Sequence, residues 1–267
     1  GYDAACRAVG LYEGLDDRVG NARSLGVLAW ALKQMGRQRE AEDISFKALQ
    51  LWRELGKSRT FEYAADLNSH ATILSELGKS DEARVVAAEG FAVLESLGQE
   101  EAVATARMNF GELEFAAGRA DIALSLATEA AKSLRRLQSF NRAAVALTNA
   151  AGYSLALGRI EDAREHAREV LSMARQSQID SVVFAAQHLG TVAALGNQPE
   201  PAARLLGYAN AWYAAAGYER EPTERRGFEI LTSSLRAQRS DEAIAPLVAA
   251  GGLMSQGEAI DLALTVT

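Results

Sequence analysis

The 267-residue sequence has little cysteine, proline or aromatic content, and each scarcity narrows the class of protein. The single cysteine, Cys6, cannot form an internal disulfide, which points away from a disulfide-stabilised extracellular domain and predicts a cytoplasmic location. The four prolines and 7% aromatic residues, beside 48% hydrophobic residues, favour closely packed α-helices. No apolar run approaches the roughly 20 residues of a membrane span, so we expect no membrane association.

The sequence also lacks an excess of positive charge. Its formal net charge is −7 and its isoelectric point is near 5.2. Proteins that bind duplex nucleic acid carry a basic face, because neutralising phosphates drives their affinity. Here the arginines are scattered among acidic residues, apart from the pair Arg225 and Arg226. We therefore predict no direct binding to nucleic acid.

No phosphate-binding loop is present. Residues 56–58 and 78–80 match the Gly-Lys-Ser ending of the motif G-x-x-x-x-G-K-[ST], but Leu51 and Ile73 stand where its first glycine belongs. Both stretches coincide with helix-ending turns that recur elsewhere without the serine. We interpret them as turns.

Catalytic and metal-binding patterns are absent as well. The three histidines, His70, His166 and His188, show no paired spacing typical of a metal site, and Cys6 lies far from them in sequence. There is no G-x-S-x-G motif that would present a nucleophilic serine. We predict a protein that is not an enzyme, with no cofactor, no metal and no catalytic residue.

What the sequence does contain is a recurring turn signal, Gly-[Arg/Lys]-x-x-x-Ala. The glycines at positions 36, 78, 118 and 158 are 42, 40 and 40 residues apart. A fixed period of this size is typical of stacked helix pairs, and such arrays offer extended surfaces for binding.

Hydrophobic periodicity around the first signal predicts one helix on each side of it. The apolar stripe before Gly36 consists of Leu25, Leu28, Leu32 and Met35. The stripe after it consists of Ala41, Ile44, Ala48, Leu51 and Leu55. Glycine suits the left-handed residue that ends a helix, and we expect Ala29 and Ala41 to lie where the two helices touch.

The N-terminal residues align with a second helix. Ala8, Leu11, Tyr12 and Leu15 match Ala48, Leu51, Trp52 and Leu55 at a constant offset of 40 residues. We therefore expect the chain to begin inside an incomplete repeat, as a piece of a larger protein.

These registers resemble tetratricopeptide repeats. The resemblance rests on the turn glycines and on small residues at fixed positions before and after them: Ala29, Ala71, Gly111, Ala151 and Gly190, then Ala41, Ala83, Ala123 and Ala163. The period is about 40 residues instead of the usual 34. His70 and Ala150 depart from the large apolar residue usual at their position, and the fifth unit slips by one residue near Gly196. The resemblance implies an all-α, right-handed superhelical solenoid of antiparallel helix pairs over residues 1–198.

Residues 199–267 carry a second resemblance, on the stretch 199–207, on Gly217, on residues 222–225 and on residues 252–264. They resemble the last repeat and C-terminal helical cap of large bacterial signal-transduction ATPases, LuxR-type regulators and adenylate-cyclase-like regulators. The end of a solenoid needs a polar outer face. We expect that face to contain Glu219, Arg220, Glu224, Arg225, Arg226, Arg236, Arg239 and Asp241.

In tetratricopeptide arrays the first helix of each pair lines the concave groove. Projecting inward positions from the turn glycines gives a mixture of aromatic, methionine and polar residues, which suits a protein or peptide segment better than a polyanion. The predicted groove residues are Arg23, Trp30, Lys33, Gln34, Asn68, Thr72, Glu76, Met108, Glu112, Phe115 and Thr148. An alternative stays open, in which Trp30 and Phe115 pack between neighbouring repeats.

The two resemblances together imply a binding module without catalysis. The first hypothesis is the sensor or scaffold region of a larger bacterial signal-transduction or transcription regulator, whose groove binds a partner or a small effector and which contacts upstream domains of the same chain. The alternative is a free-standing adaptor that mediates protein–protein interaction.

Overall fold

A computed structural model describes residues 1–175 and 181–267, and within these residues the secondary structure is entirely α-helical. Among the described residues, every helix is too short or too polar to span a lipid bilayer. The helices are α1 (Tyr2–Gly14), α2 (Arg18–Gln34), α3 (Gln38–Glu54), α4 (Phe61–Glu76), α5 (Ser80–Ser96), α6 (Glu100–Ala116), α7 (Ala120–Arg136), α8 (Phe140–Ala156), α9 (Ile160–Ala174), α10 (Val182–Leu195), α11 (Pro199–Ala216), α12 (Pro222–Gln238), α13 (Asp241–Gly251) and α14 (Gln256–Leu264). The prediction of an all-α fold built from antiparallel helix pairs is confirmed.

The predicted turn glycines end helices in the left-handed conformation. Gly36 has φ of 74°, and the equivalent glycines at 78, 118 and 158 have φ between 71° and 79°. The amide of Arg37 donates to the carbonyl of Leu32 at 3.0 Å, which satisfies an acceptor that the helix end would leave open. In the fifth pair Asn197 takes the left-handed conformation instead of Gly196, in agreement with the predicted slip.

We call the helix before each turn an A helix and the helix after it a B helix. The A helices are α2, α4, α6, α8 and α10, and the B helices are α3, α5, α7, α9 and α11. The chain forms two compact units, Gly1–Ala117 (unit 1) and Gly118–Thr267 (unit 2). In unit 1, A helices lie side by side, with α2 against α4 and α4 against α6.

Small residues allow these helices to pack closely. Ala29 and Ala41 are completely buried in one core cluster with Leu32 and Ile73, as expected from the sequence. A second cluster of unit 1 contains Trp52 and Tyr63. In unit 2, α8 and α10 are lined with buried alanines, which leaves little space between neighbouring helices.

The last three helices return onto the array in unit 2. Helix α12 packs on the A helices α8 and α10, α13 packs on α11, and α14 contacts α9, α10 and α11. The chain therefore places α12 on the A-helix side and α13 beside the last B helix. The proposed division at residue 198 between repeats and cap remains a prediction.

The expected polar outer face of the cap is wrong for two residues, Glu224 and Arg220, and the half-buried Arg220 lies over the rings of Tyr213 and Phe228. Glu224 is 8% exposed, because α12 turns its first turn toward the A helices. Burial raises the pKa of the Glu224 carboxyl to about 7. By contrast, Glu219, Arg225 and Arg226 are exposed.

Helices α11 and α13 cross at glycines. A Cβ atom at Gly207 would lie 2.0 Å from the carbonyl oxygen of Val248, and one at Gly251 would lie 1.9 Å from that of Arg204. Both obstacles are main-chain atoms, which cannot move aside as a flexible side chain can. The crossing therefore requires glycine on both helices.

We expect Gly207→Ala to lower the free energy of unfolding by at least about 2 kcal/mol, because α11 and α13 must separate to admit the methyl group. Gly257→Ala is the matched control: it lies in α14, and a Cβ there meets nothing within 4 Å. Urea unfolding monitored by circular dichroism measures both. Equal stability of the two variants would contradict the close crossing.

Candidate functional site

Three predicted groove residues meet on the A helices of unit 1. The Nζ atom of Lys33 lies 4.7 Å from the ring centroid of Trp30 and 2.9 Å from Oε1 of Glu76. Trp30 is 46% exposed, so its ring is available to a partner while the lysine holds one of its faces. The contact joins α2 to α4, and we call Trp30, Lys33 and Glu76 the Trp30 cluster.

A second ion pair joins the same two helices. The guanidinium Nη2 of Arg23 lies 2.7 Å from Oε1 of Glu62, a residue that was not predicted for the groove. Gln34 is exposed near the C-terminal end of α2. The face therefore carries opposite charges that link neighbouring A helices at both ends.

The remaining predicted residues occupy several places on the A helices. Thr72 donates from Oγ1 to the main-chain oxygen of Asn68 at 3.1 Å, a bond within α4. Met108 and Phe115 are half-buried and Glu112 is exposed on α6, the next A helix along the face. The Trp30 cluster does not include them, and their role in binding stays a prediction.

Thr148 differs from the others because it is buried. It lies on α8 in unit 2, is 3% exposed, and donates from Oγ1 to the carbonyl of Ala144 at 2.8 Å. The hydroxyl is thus engaged within its own helix. Its assignment to a binding face also stays a prediction.

Sequence reasoning missed Asp66, a residue of α4 whose carboxylate lies against Gly26 of α2. A Cβ atom at Gly26 would lie 2.3 Å from Oδ1 of Asp66, so a larger residue there would displace this carboxylate. The indole Nε1 of Trp52 donates to Oδ2 of Asp66 at 2.7 Å. Burial raises the pKa of Asp66 to about 6. A glycine in the middle of a predicted helix was the available signal, since it marks a close approach.

In unit 2 the A-helix face carries a helix of the same chain. The amide Nε2 of Gln187 donates to the main-chain oxygen of Glu224 at 2.8 Å. The hydroxyl of Thr191 is shared between the main-chain oxygens of Gly227 and Gln187, each 3.1 Å from Oγ1. A Cβ atom at Gly152 would lie 2.3 Å from Cγ2 of Thr223. Small residues and buried polar side chains on α8 and α10 thus seat α12.

A cation fixes the segment that leads into α12. The guanidinium of Arg220 lies 4.2 Å from the ring centroid of Tyr213 and 4.3 Å from that of Phe228. It also donates to Oε1 of Gln187 and Oδ1 of Asn210, both at 2.7 Å. Stacking and hydrogen bonds together orient the guanidinium, and so they hold the start of α12 against the array.

His188 lies beneath α12 and is fully buried. A Cβ atom at Gly152 would lie 3.3 Å from its Cε1 atom, and one at Gly227 would lie 3.4 Å from its Nδ1 atom. Burial lowers the pKa of His188 to about 4, so its imidazole is uncharged at neutral pH. The ring therefore acts here as a packing surface between α8, α10 and α12. The geometry of unit 2 shows that an A-helix face can hold a helix.

Comparison with known proteins finds a family model that matches one of the helix pairs. The family model described as tetratricopeptide repeat matches residues 21–55, which span α2 and α3. No curated protein matches the sequence. The other helix pairs follow the plan of the matched pair, with the same turn glycine at 78, 118 and 158.

Solved structures share the fold. BtubC (BKLC) from P. vanneervenii is 21% identical with a TM-score of 0.67, and the match covers 83% of this chain and 93% of that one. A variant of a putative kinesin light chain from Podosopora anserina, with nearly identical TPR-like repeats, is 17% identical with a TM-score of 0.62, covering 73% and 95%. Identities this low show a common architecture of tetratricopeptide-like helix pairs.

A third structure is a multidomain protein. It is the Signal Transduction ATPase with Numerous Domains protein with a tetratricopeptide repeat sensor from Pyrococcus horikoshii. The identity is 14% and the TM-score is 0.61, and the match covers 93% of this chain but 38% of that one. Repeat arrays of this kind are scaffolds whose surfaces bind other proteins.

We expect the stability of the chain to depend on ionisation of Asp66. Its pKa is about 6 in the folded chain and 3.8 in the reference state, so the folded state binds this proton more tightly and loses stability as pH rises from about 4 to 6. Asp66→Asn keeps an oxygen for the Trp52 indole and removes the titration. The variant should gain about 1 to 3 kcal/mol over wild type across this window.

Urea unfolding at pH 4, 5, 6 and 7 measures the difference. The control is Asp43→Asn, because Asp43 is an exposed residue of α3. This variant also removes one carboxylate from unit 1. A difference between Asp66→Asn and wild type that is constant with pH would show that Asp66 is not the titrating group.

Proposed function

We propose that this chain is a non-catalytic binding module that recognises a protein segment on the A-helix face of unit 1. The observation that carries the proposal is the Trp30 cluster, a partly exposed indole held by Lys33, which is itself paired with Glu76. Exposed tryptophans with an ordered environment supply much of the energy of protein interfaces. Val27, 60% exposed one helical turn before Trp30, extends the apolar surface along α2.

The packing of α12 in unit 2 indicates what kind of partner the A-helix face of unit 1 binds. There α12 packs across α8 and α10, and its main-chain oxygens accept hydrogen bonds from Gln187 and Thr191. The A helices of this chain thus hold an α-helix, and we infer that unit 1 also binds a helical segment. An amphipathic helix with an apolar stripe for Trp30 and Val27 fits this face.

Binding could change the arrangement of unit 1. The ion pairs Arg23–Glu62 and Lys33–Glu76 both join α2 to α4. A partner that pairs with these charges would exchange contacts between helices for contacts with itself, and it would favour whichever spacing of α2 and α4 it binds more tightly. The free energy available equals the difference in its affinity for the two arrangements.

We further propose that the module is the sensor region of a larger bacterial regulator of signal transduction or transcription, located in the cytoplasm. The likeness to a signal-transduction ATPase with a tetratricopeptide repeat sensor supports this proposal, because the aligned part is 38% of that protein. In this setting the partner or a small effector would bind the repeats, and upstream domains of the same chain would respond. The alternative function is a free-standing adaptor that joins proteins through the same face.

Reading the gene upstream of the codon for Gly1 separates these two settings. We expect it to encode a nucleotide-binding domain in the same reading frame, as a sensor region requires. A start codon directly before Gly1 would contradict the sensor proposal and leave the adaptor.

We expect the selected partners of this face to depend on Trp30. Helical peptides selected from a displayed library against the wild-type chain should lose at least about tenfold in affinity for Trp30→Ala, because removing a central aromatic anchor costs more than about 1.4 kcal/mol. Fluorescence anisotropy with the labelled peptides measures the change. The control is Val85→Ala, which truncates a residue 71% exposed on the B helix α5. Peptides that bind Trp30→Ala as tightly as wild type would show that the face is not the binding site.

A further inference from the structure

A buried tyrosine in unit 1 bridges an arginine and a glutamate. The hydroxyl of Tyr63 accepts a hydrogen bond from Nε of Arg53 at 2.7 Å and donates one to Oε1 of Glu89. Arg53 and Glu89 also pair with each other, with Nη2 3.2 Å from Oε2. The phenol therefore sits beside an ion pair between α3 and α5 and uses both of its members.

The ring of Tyr63 fills an apolar space beneath this pair. Leu49 of α3 and Leu67 of α4 belong to the same buried cluster, and Val86 of α5 packs against it. Burial raises the pKa of Tyr63 to about 12, so its hydroxyl keeps the proton that it donates to Glu89.

Unit 2 repeats these surroundings without the tyrosine. Counted from the turn glycines, the positions of Arg53 and Glu89 are held by Arg135 and Glu169, which form an ion pair between α7 and α9. The position of Tyr63 is held by Ala143.

The apolar surroundings follow the same register. Leu67 corresponds to Leu147, Leu49 to Ala131 and Val86 to His166. Burial lowers the pKa of His166, which favours an uncharged ring at neutral pH. Its imidazole can therefore form part of a cavity wall that receives an aromatic ring.

A pocket of about 510 Å³ lies beside Ala143, which is itself completely buried. Its lining includes all five equivalents of the tyrosine's neighbours, namely Arg135, Glu169, Ala131, Leu147 and His166. Phe140, which is 44% exposed, adds an aromatic wall. The volume is within the range of small-molecule sites.

We propose that this cavity binds a phenol, with the aromatic ring on Leu147 and the hydroxyl between Arg135 and Glu169. The chain itself shows the binding mode, because Tyr63 makes the corresponding contacts in unit 1 with the arginine and glutamate still paired. The hydroxyl donates to the carboxylate and accepts from the guanidinium, so both partners keep complementary roles.

The charge around the cavity favours an acidic phenol. Lys132 lines it together with Arg135, and a second arginine, Arg136, lies next to them. Glu169 is the acidic member of the lining. A carboxylate on the far side of the ring would lie near cationic side chains, so a hydroxyphenyl carboxylate is the preferred ligand class.

The tyrosine side chain of a peptide carries the same phenol and is the second source of such a ligand. The site lies on α7, α8 and α9, and the proposal is independent of the function proposed for unit 1.

Titration of the wild-type chain with two small acids tests the hydroxyl. We expect 4-hydroxyphenylacetate to bind about tenfold more tightly than phenylacetate, the value of a hydrogen bond to charged groups. Two-dimensional NMR measures both affinities and the location of the shifted resonances. Equal affinities of the two acids, or no binding at millimolar concentration, would overturn the proposal.

N-acetyltyrosinamide distinguishes the two possible sources of the phenol, a small hydroxyphenyl carboxylate and the tyrosine side chain of a peptide. Binding of this neutral probe as tightly as the acid supports a peptide tyrosine, whereas tighter binding of the acid supports a small hydroxyphenyl carboxylate. Both outcomes are consistent with a phenol site, because each probe carries the hydroxyl.

Variants of the chain test whether the phenol hydroxyl contacts Glu169. Glu169→Gln should remove most of the tenfold preference for the hydroxylated acid, while Glu129→Gln, an exposed residue of α7, should leave it intact. Ala143→Tyr should weaken binding, because a phenol at this position, like that of Tyr63 in unit 1, would compete for Arg135 and Glu169. The Glu169→Gln variant provides an independent test if Ala143→Tyr fails to fold. An unchanged preference in Glu169→Gln would contradict the assigned hydroxyl position.

Discussion

Close approach of helix backbones is the constraint on which this structure depends. The buried contacts within and between pairs are made largely by alanine and glycine, as at Ala29 and Ala41 in unit 1 and at Gly207 and Gly251 in unit 2. Small residues permit more main-chain contact per helix and leave fewer large side chains to define the core. The left-handed glycines then reverse the chain at nearly constant intervals. Regular spacing and close packing together explain why so few aromatic residues suffice.

Periodicity explains how much of the fold could be predicted. The turn at Gly78 and the contact at Ala41 follow from local patterns, because each repeat has the same neighbours and the same backbone geometry. The burial of Glu224 could not be found in this way. It depends on where α12 docks, and that position follows from contacts with residues distant in sequence, such as Thr223 against Gly152 and Gln187 with Glu224. The cap motif predicts helices at the end of the array and does not contain their docking site.

The residues of the candidate site also differ in whether the sequence alone could predict them. Projection from the turn glycines finds Trp30, Lys33 and Glu76, since side-chain direction follows from position within a regular helix. Finding Asp66 required knowing that its carboxylate on α4 lies against Gly26 of α2. The pocket beside Arg135 is recognised only when two repeats are compared in the structure, because the sequence does not show that side chains of α7, α8 and α9 line one space.

The docking of α12 has a consequence for sequence change. Gln187 and Thr191 donate to main-chain oxygens of α12, and such acceptors are offered by a helix of any composition. Substitutions on the outward side of α12, at Arg225, Arg226 or Glu229, leave these bonds untouched. Relatives of this protein could therefore differ in the charge and size of the exposed residues of α12 and still keep the same hydrogen bonds between α12 and α10.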